Sequence, residues 1–298
     1  MPRPLIDVMI PTFNEAMHIA ETVENAKKVG AVHVLDSFST DGTQDIARKH
    51  GANVVEHKFE NYSRQKNWGL ENLPLGGKWV FILDADERIT PALSRELKAV
   101  ATSDTDAVGF FVNRVVVMMG RQIRHGGLFP SWNLRFFKRG KCRYEDRSVH
   151  EHMLADGRTD YLEHLMLHIR RESISEYLTK HIKYADLESD EWIKQRLGQA
   201  SEAQAGNLFK NILKYRLYLR RDVWPRMPMR PLLRFAYMYF VRFGVLDGRA
   251  GWHLAMLMAS YEYMIGLLYK EKMHRYAEGT LSIPGLVTPT PQLGPGAA

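Results

Sequence analysis

The N-terminal third of the chain alternates short apolar runs with stretches of helical periodicity, and the runs end in polar or acidic residues. Leu5 to Pro11 has strand length, Ala31 to Leu35 ends at Asp36, Ala52 to Glu56 is short, and Trp79 to Leu83 runs into Asp84. Between them Ile19, Val23, Ala26 and Val29 share one helical face, with Asn14 placed to cap that helix. The turn-rich Ser39 to Thr43 leads into a short helix closed by Gly51, Tyr62 to Glu71 reads as a third helix, and Pro91 opens a fourth. Such alternation predicts a sheet built from right-handed parallel crossovers, with ligands held beyond the carboxyl ends of its strands. Pro11 to Glu15, Asp36 to Thr43 and Asp84 to Glu87 are therefore expected along one sheet edge.

The later chain changes character. Asp106 to Met119 and Asn133 to Lys138 are strand-like, residues 141–168 look irregular with short strand signals, and the pattern is helical after Ser173. Pro225, Pro228 and Pro231 precede a last apolar section, Leu232 to Tyr269. The expected organisation is an α/β domain over 1–172, a helical region over 173–281 and a flexible tail over 282–298. At 298 residues with 45% hydrophobic composition, the chain can bury a substantial core without disulfides. The single cysteine, Cys142, has no internal partner, which fits a reducing compartment, and the N-terminal apolar run is too short for a secretory signal.

Charge is unevenly distributed. From Asn207 to Leu246 nine basic residues face one acid, a net charge of +8, which leaves −1 for the rest of the chain. Interleaved with Phe, Tyr, Leu and Trp, this segment suits an anionic lipid surface or a nucleic acid. His253 and Glu262, with Arg234, Arg242, Asp247 and Arg249 before them, argue against a membrane span in Leu232 to Tyr269. A packed or interfacial helix accommodates that mixture better.

The loop after the first strand, Pro11-Thr12-Phe13-Asn14-Glu15, has no glycine, which disfavours a nicotinamide or flavin Rossmann site; a P-loop is absent as well. The fourth strand opens into Asp84-Ala85-Asp86-Glu87. Two carboxylates one residue apart can reach a single divalent ion or its water. Hard oxygen donors of this kind suit magnesium or manganese, with diphosphate oxygens completing the sphere.

The set IPTFNEA, VLDSFSTDGT, NYSRQKNWGL and FILDADE, in this order and spacing, closely resembles the nucleotide-binding half of family-2 glycosyltransferases of the GT-A fold. LRFFKRG, SVHEHM, LMLHI and RFGVLDGRAGW resemble the bacterial branch related to lipopolysaccharide-core β-1,4-glucosyltransferases. The resemblance implies an α/β fold of GT-A type, a mixed and mostly parallel sheet flanked by helices, with a helical C-terminal region. It implies an inverting, metal-dependent transfer of a hexose, glucose in this branch, from a UDP-sugar to a lipid-linked or lipopolysaccharide-core saccharide. The setting is peripheral, at the cytoplasmic face of the inner membrane. Anionic lipid would then be the partner of the 207–246 segment, and nucleic acid would not.

Roles follow residue by residue. Pro11, Thr12 and Glu15 would line the nucleoside pocket. Asp36 would accept from the pyrimidine ring N–H, and Lys66 would lie near base or diphosphate. Asp84 would meet ribose or metal-bound water, Asp86 would hold Mn2+ or Mg2+, and His168 would complete the metal site or contact diphosphate. Glu151 is the favoured base for the acceptor hydroxyl, with Asp146 second. Arg135 and Lys138 are candidates to neutralise diphosphate, and Trp132 to stack on an acceptor sugar. Asp41 is read as a turn former. Two rival classes stand beside this reading: a zinc hydrolase using His150, His152, His164 and His168, although no HExxH occurs, and an RNA- or membrane-binding module without catalysis.

Overall fold

The computed structural model describes residues 4–145, 153–170, 173–197, 224, 227 and 229–283. They divide into two compact units, the first comprising Met1–Arg124 and Leu128–Arg170, the second His125–Gly127 and Arg171–Ala298.

In the first unit the chain runs β1 (Ile6–Thr12), α1 (Ala16–Ala26), β2 (Ala31–Asp36), α2 (Thr43–Lys49), β3 (Asn53–Glu56), α3 (Tyr62–Asn72), β4 (Trp79–Ile82), β5 (Glu87–Ile89) and α4 (Pro91–Thr102). It continues through β6 (Gly109–Met118), β7 (Arg121–Ile123), β8 (Trp132–Lys138), β9 (Cys142–Tyr144), β10 (Met153–Ala155) and β11 (Thr159–Ile169). The main sheet has the order β3-β2-β1-β4-β8-β6-β11-β5, with β7 on β6. Pairing is parallel through β3, β2, β1 and β4 and again between β6 and β11, while β8 and β5 pair antiparallel with their neighbours.

Strand alternation distributes the core between two faces. Ile6, Val8, Ile10, Trp79 and Phe81 pack with Ile19, Val23, Leu93 and Leu97 under α1 and α4. Met9, Val80, Ile82, Leu35 and Phe137 point the other way, toward Leu73, Trp68 and Tyr144 beside α3 and β9. Each such large side chain contributes on the order of 1.5–3 kcal/mol by leaving water. The approach of α3 is set by Gly69, where a Cβ would lie 2.7 Å from Met9 Sδ and 2.8 Å from Leu35 Cδ2.

Caps partly follow expectation. Pro91 starts α4 behind Thr90, whose hydroxyl accepts from the Leu93 N–H. Asn14, expected to cap α1, does not. It has φ 54° and its Oδ1 accepts from the Thr40 N–H. The start of α1 is capped from the next crossover: the Glu15 N–H donates to Thr43 Oγ1 and the Ala16 N–H to Asp41 Oδ2. Asp41 thus organises its turn and the head of α1 together.

Residues 141–168, expected to be largely irregular, contain all but the last residue of the long strand β11. Its middle is tied to α4: Glu96 accepts from the backbone N–H groups of Glu163 and His164 and pairs with the His164 ring.

The second unit holds α5 (Ile174–Arg196), α6 (Arg230–Ala236), a π-helical turn (Tyr237–Val241), a 3-10 turn (Gly244–Asp247) and α7 (Gly248–Ala277). Ala185, Trp192 and Ile265 pack with Tyr261 and Leu268 between α5 and α7. The Arg230 guanidinium lies 4.4 Å over the Trp192 ring. Within this unit His125–Gly127 is held against the turns, Asp247 accepting from the His125 N–H at 2.8 Å and the Arg242 carbonyl from the Gly126 N–H at 2.8 Å. No helix among the described residues is long and apolar enough to cross a membrane. Of the basic 207–246 segment, residues 207–223, 225, 226 and 228 lie outside the described residues, as does the tail beyond Ile283.

Candidate active site

The carboxyl ends of β1, β2 and β4 open into a cavity of about 450 Å³. Pro11 and Thr12 reach it from β1, Glu15 from the head of α1, Lys66 from α3, Asp84 and Asp86 from the turn after β4, and His168 from β11. Six of these seven residues come from strand ends or the loops that follow them, where open sheets bind ligands.

The site's electrostatics centre on Asp84. Arg135 of β8 donates to it through Nη2 at 2.6 Å and Nη1 at 3.3 Å, and also reaches Glu87 Oε1 at 3.3 Å. Burial alone would push the Asp84 carboxyl up, but the charges of Arg135 and then Lys66 override it and hold the group well below the usual carboxylate range. Glu87, fully buried, shifts upward through burial and the neighbouring Asp84 charge, against the pull of Arg135 and Arg114. The Asp84 N–H donates to Glu87 Oε2, which fixes the turn that aims both aspartates.

Asp86 stands apart from that network. Its Oδ1 lies 3.2 Å from His168 Nδ1, yet this buried nitrogen makes no hydrogen bond. The Ile169 N–H donates to the Asp86 carbonyl at 2.8 Å, so β11 fixes the spacing. A carboxylate oxygen and an imidazole nitrogen converge without bonding to each other, and this donor set fits one divalent ion of the manganese or magnesium kind. Among the described residues no three metal-ligating side chains gather into a closed cage. A carboxylate and an imidazole alone suit an ion that draws its remaining ligands from a substrate. His164, one of the four histidines of the zinc-hydrolase reading, is bound to Glu96, while His150 and His152 lie outside the described residues.

Other expected site residues are placed differently. Asp36 has no exposed surface and does not line the cavity; Thr12 Oγ1, the Ser39 N–H, Ser39 Oγ and Gln44 Nε2 all donate to it. Arg135 pairs with Asp84 and Glu87 and does not line this cavity, although it lines a second one. Lys138 points elsewhere, its Nζ donating to the Thr105 carbonyl at 2.6 Å above the Trp79 ring. Lys66 is no solvated helix lysine: it is buried, sits 5.0 Å from the centre of the Tyr144 ring and lines both the main cavity and a second one of about 270 Å³. Trp132 lines that second cavity, half exposed, with its ring edge-on to Tyr161 at 5.0 Å. Glu151 and Asp146 lie outside the described residues.

Phe59 and Tyr62 were not singled out by sequence. They line the main cavity as an edge-to-face pair 5.1 Å apart, both exposed. Their one signal was two aromatics flanking Asn61, whose side chain caps α3. Gln65 is also new to the site: it donates to Ser37 Oγ at 3.0 Å and bonds the His57 ring at 2.7 Å, tying α3 to the loop after β2.

A sheet of this order, with an acidic pair, an imidazole and a buried lysine around a cavity at its strand ends, is the arrangement expected of the GT-A class. The sequence profile described as glycosyl transferase family 2 matches residues 7–166, and the chain belongs to that family. It is 27% identical over 235 residues to the lipopolysaccharide core biosynthesis glycosyltransferase LpsC of Rhizobium meliloti (strain 1021), covering 75% of this chain and 84% of that protein. It is 26% identical over 202 residues to the uncharacterized glycosyltransferase RC0292 of Rickettsia conorii, covering 64% and 71% respectively. Among solved structures, the mannosyltransferase PcManGT from Pyrobaculum calidifontis in complex with GDP-Man and Mn2+ superposes with a TM-score of 0.50 at 20% identity, covering 90% of this chain and 87% of that one. This last likeness concerns the fold.

Proposed function

We propose that the enzyme is an inverting hexosyltransferase that moves glucose from a UDP-sugar to a saccharide carried on a lipid, in lipopolysaccharide-core assembly. The observation that carries the reading is the unbonded approach of Asp86 and His168 on the floor of a cavity whose other wall is aromatic. In this reading Phe59 and Tyr62 offer ring faces to the nucleobase, and Thr12 and Glu15 flank the nucleoside. Lys66 faces the diphosphate, while Asp84, fixed by Arg135, meets the ribose. Asp86 and His168 would hold manganese or magnesium, which when bound supplies positive charge for a departing diphosphate.

The acceptor hydroxyl oxygen attacks the anomeric carbon from the face opposite the diphosphate. The new C–O bond forms as the bond to the phosphate oxygen breaks, and the electron pair leaves with UDP. The hydroxyl proton passes to a carboxylate on the acceptor side, which we assign to Glu151 with Asp146 as the second candidate. The second cavity, where Trp132 and Phe111 offer ring surface beside Lys66, is our assignment for the acceptor sugar. The relationship to LpsC supports the choice of acceptor class. The basic 207–246 segment supports a peripheral position on the anionic cytoplasmic face of the inner membrane.

A thermal-shift screen with UDP, dTDP, GDP and CDP, each with and without manganese, tests this on the wild type and on Asp86→Ala. Ligands that bind only the folded state raise its melting temperature. Manganese-dependent stabilisation by UDP, absent in the variant, is the expected result. Stabilisation by GDP alone would overturn the donor assignment, and no response to any diphosphate would overturn the site.

A further inference from the structure

We propose that the turn from Phe240 to Leu246 is a preformed elbow that inserts into an anionic lipid surface. The proposal deepens the reading of a lipid-linked acceptor and rests on it for its biological sense, though not for its test.

Phe240, Val241, Phe243 and Leu246 are 60%, 62%, 60% and 59% exposed, and Arg242 and Val245 between them are exposed as well. Single exposed apolar residues are ordinary, whereas five within seven positions mark a contact surface. The backbone strengthens the case. Phe243 holds φ 56°, a left-handed conformation unfavourable for a bulky aromatic residue, yet the residue stays 60% exposed.

The elbow is also rigidly presented. A Cβ at Gly251 would fall 2.0 Å from the Gly244 carbonyl, so the 3-10 turn rests directly on the backbone of α7. Asp247 grips His125, and the Arg242 carbonyl accepts from Gly126.

Charge selects the partner. Between Arg230 and Tyr261 Asp247 is the sole acid, and it is buried against His125, while Arg242 and Arg249 are exposed. An outward surface of phenylalanine, valine and leucine with arginine as its only charge complements a bilayer rich in anionic headgroups. The rings enter the acyl boundary while arginine remains among the phosphates.

Flotation with phosphatidylglycerol–phosphatidylcholine vesicles tests the elbow, using full-length wild type and the triple variant Phe240→Ser, Phe243→Ser, Leu246→Ser. The wild type should bind, retain part of that binding in high salt, and bind pure phosphatidylcholine poorly. The triple variant should bind at least tenfold more weakly and lose the salt-resistant part. The single variant Val241→Glu, which replaces a side chain already in solvent, should also weaken binding, and it answers the question if the triple variant folds poorly. Stabilisation by UDP with manganese should be the same in all three proteins, so failure of the elbow and failure of the donor site remain distinguishable. Unchanged vesicle binding in a folded variant would overturn the proposal. So would a dimer-to-monomer shift with unchanged vesicle binding, which would make the patch an interface between copies.

Discussion

Arg135 and Asp84 form a two-pronged ion pair at 2.6 and 3.3 Å, and the same guanidinium reaches Glu87 at 3.3 Å. The pair joins β8 to the turn after β4, so an arginine of the sheet decides where the acidic turn points. Arg135→Met should leave buried Glu87 and part-exposed Asp84 with only Arg114 and Lys66 as countercharge and destabilise the fold by about 3 kcal/mol, the low end for a broken buried pair, read as a lower urea midpoint. The sign of its pH dependence follows from Asp84. Its folded-state pKa is depressed, so the stabilisation is present above the ordinary carboxylate range and is lost as pH falls through and below it. The wild type should therefore lose more stability on acidification than the variant does.

Asp86→Asn and His168→Asn should each leave the apo fold within about 1 kcal/mol of wild type, since neither side chain supports the core. Both should lose most of the manganese-dependent part of any nucleotide-induced thermal shift. Retention of the full shift in His168→Asn would remove the imidazole from the ion site.

Cys142 provides an alkaline counterpart. Burial, aided by the charge of Asp156, pushes its thiol up to about 12. The folded state thus favours the neutral thiol. That preference is fully expressed below the unfolded thiol's pKa and is lost as pH rises from there through about 12. Native protein should react slowly with a thiol reagent at pH 8, and unfolded protein fully. Cys142→Ala should flatten the fall in stability between pH 8 and 10.5.

Gly69 tests the link from packing to the site. An alanine would gain about 1 kcal/mol in helix propensity, which offsets much of its clash with Met9 and Leu35. Valine has no such compensation. Gly69→Val should lower stability by about 1–3 kcal/mol and weaken nucleotide binding, because α3 carries Tyr62, Gln65 and Lys66 to the cavity.

Tyr62→Ala should weaken nucleotide affinity by several-fold, on the order of 1 kcal/mol for a lost aromatic contact, without lowering the melting temperature of the apo protein. Isothermal titration with UDP and manganese would show it; an unchanged affinity would remove the ring from the base site.

Much of the cavity was legible because its residues end or follow apolar runs of strand length: Thr12 at the end of β1, Asp84 and Asp86 after β4. What the sequence hid was of two kinds. β5 consists of Glu87, Arg88 and Ile89, all buried, and no hydrophobic pattern announces a strand whose stability comes from ion pairs and from hydrogen bonds such as that of Arg88 to Thr22. The other kind is direction. Asp36 and Arg135 were singled out by position, but whether a carboxylate faces a cavity or Ser39, and whether a guanidinium faces phosphate or Asp84, depends on long-range partners that spacing does not encode. The elbow shows the same limit, since its apolar residues read equally well as core until their exposure is known.

The pairing of β5 with β11 sets His168 opposite Glu87 and Leu167 opposite Arg88. Groups far apart along the chain are thereby gauged against one another by rungs of a ladder, as marks on two rulers laid edge to edge. Loops between them can lengthen or shorten without altering the reading. A slip of one rung would not be forgiven: it would turn His168 to the opposite face of the sheet and leave Asp86 without its neighbour, in a protein otherwise folded.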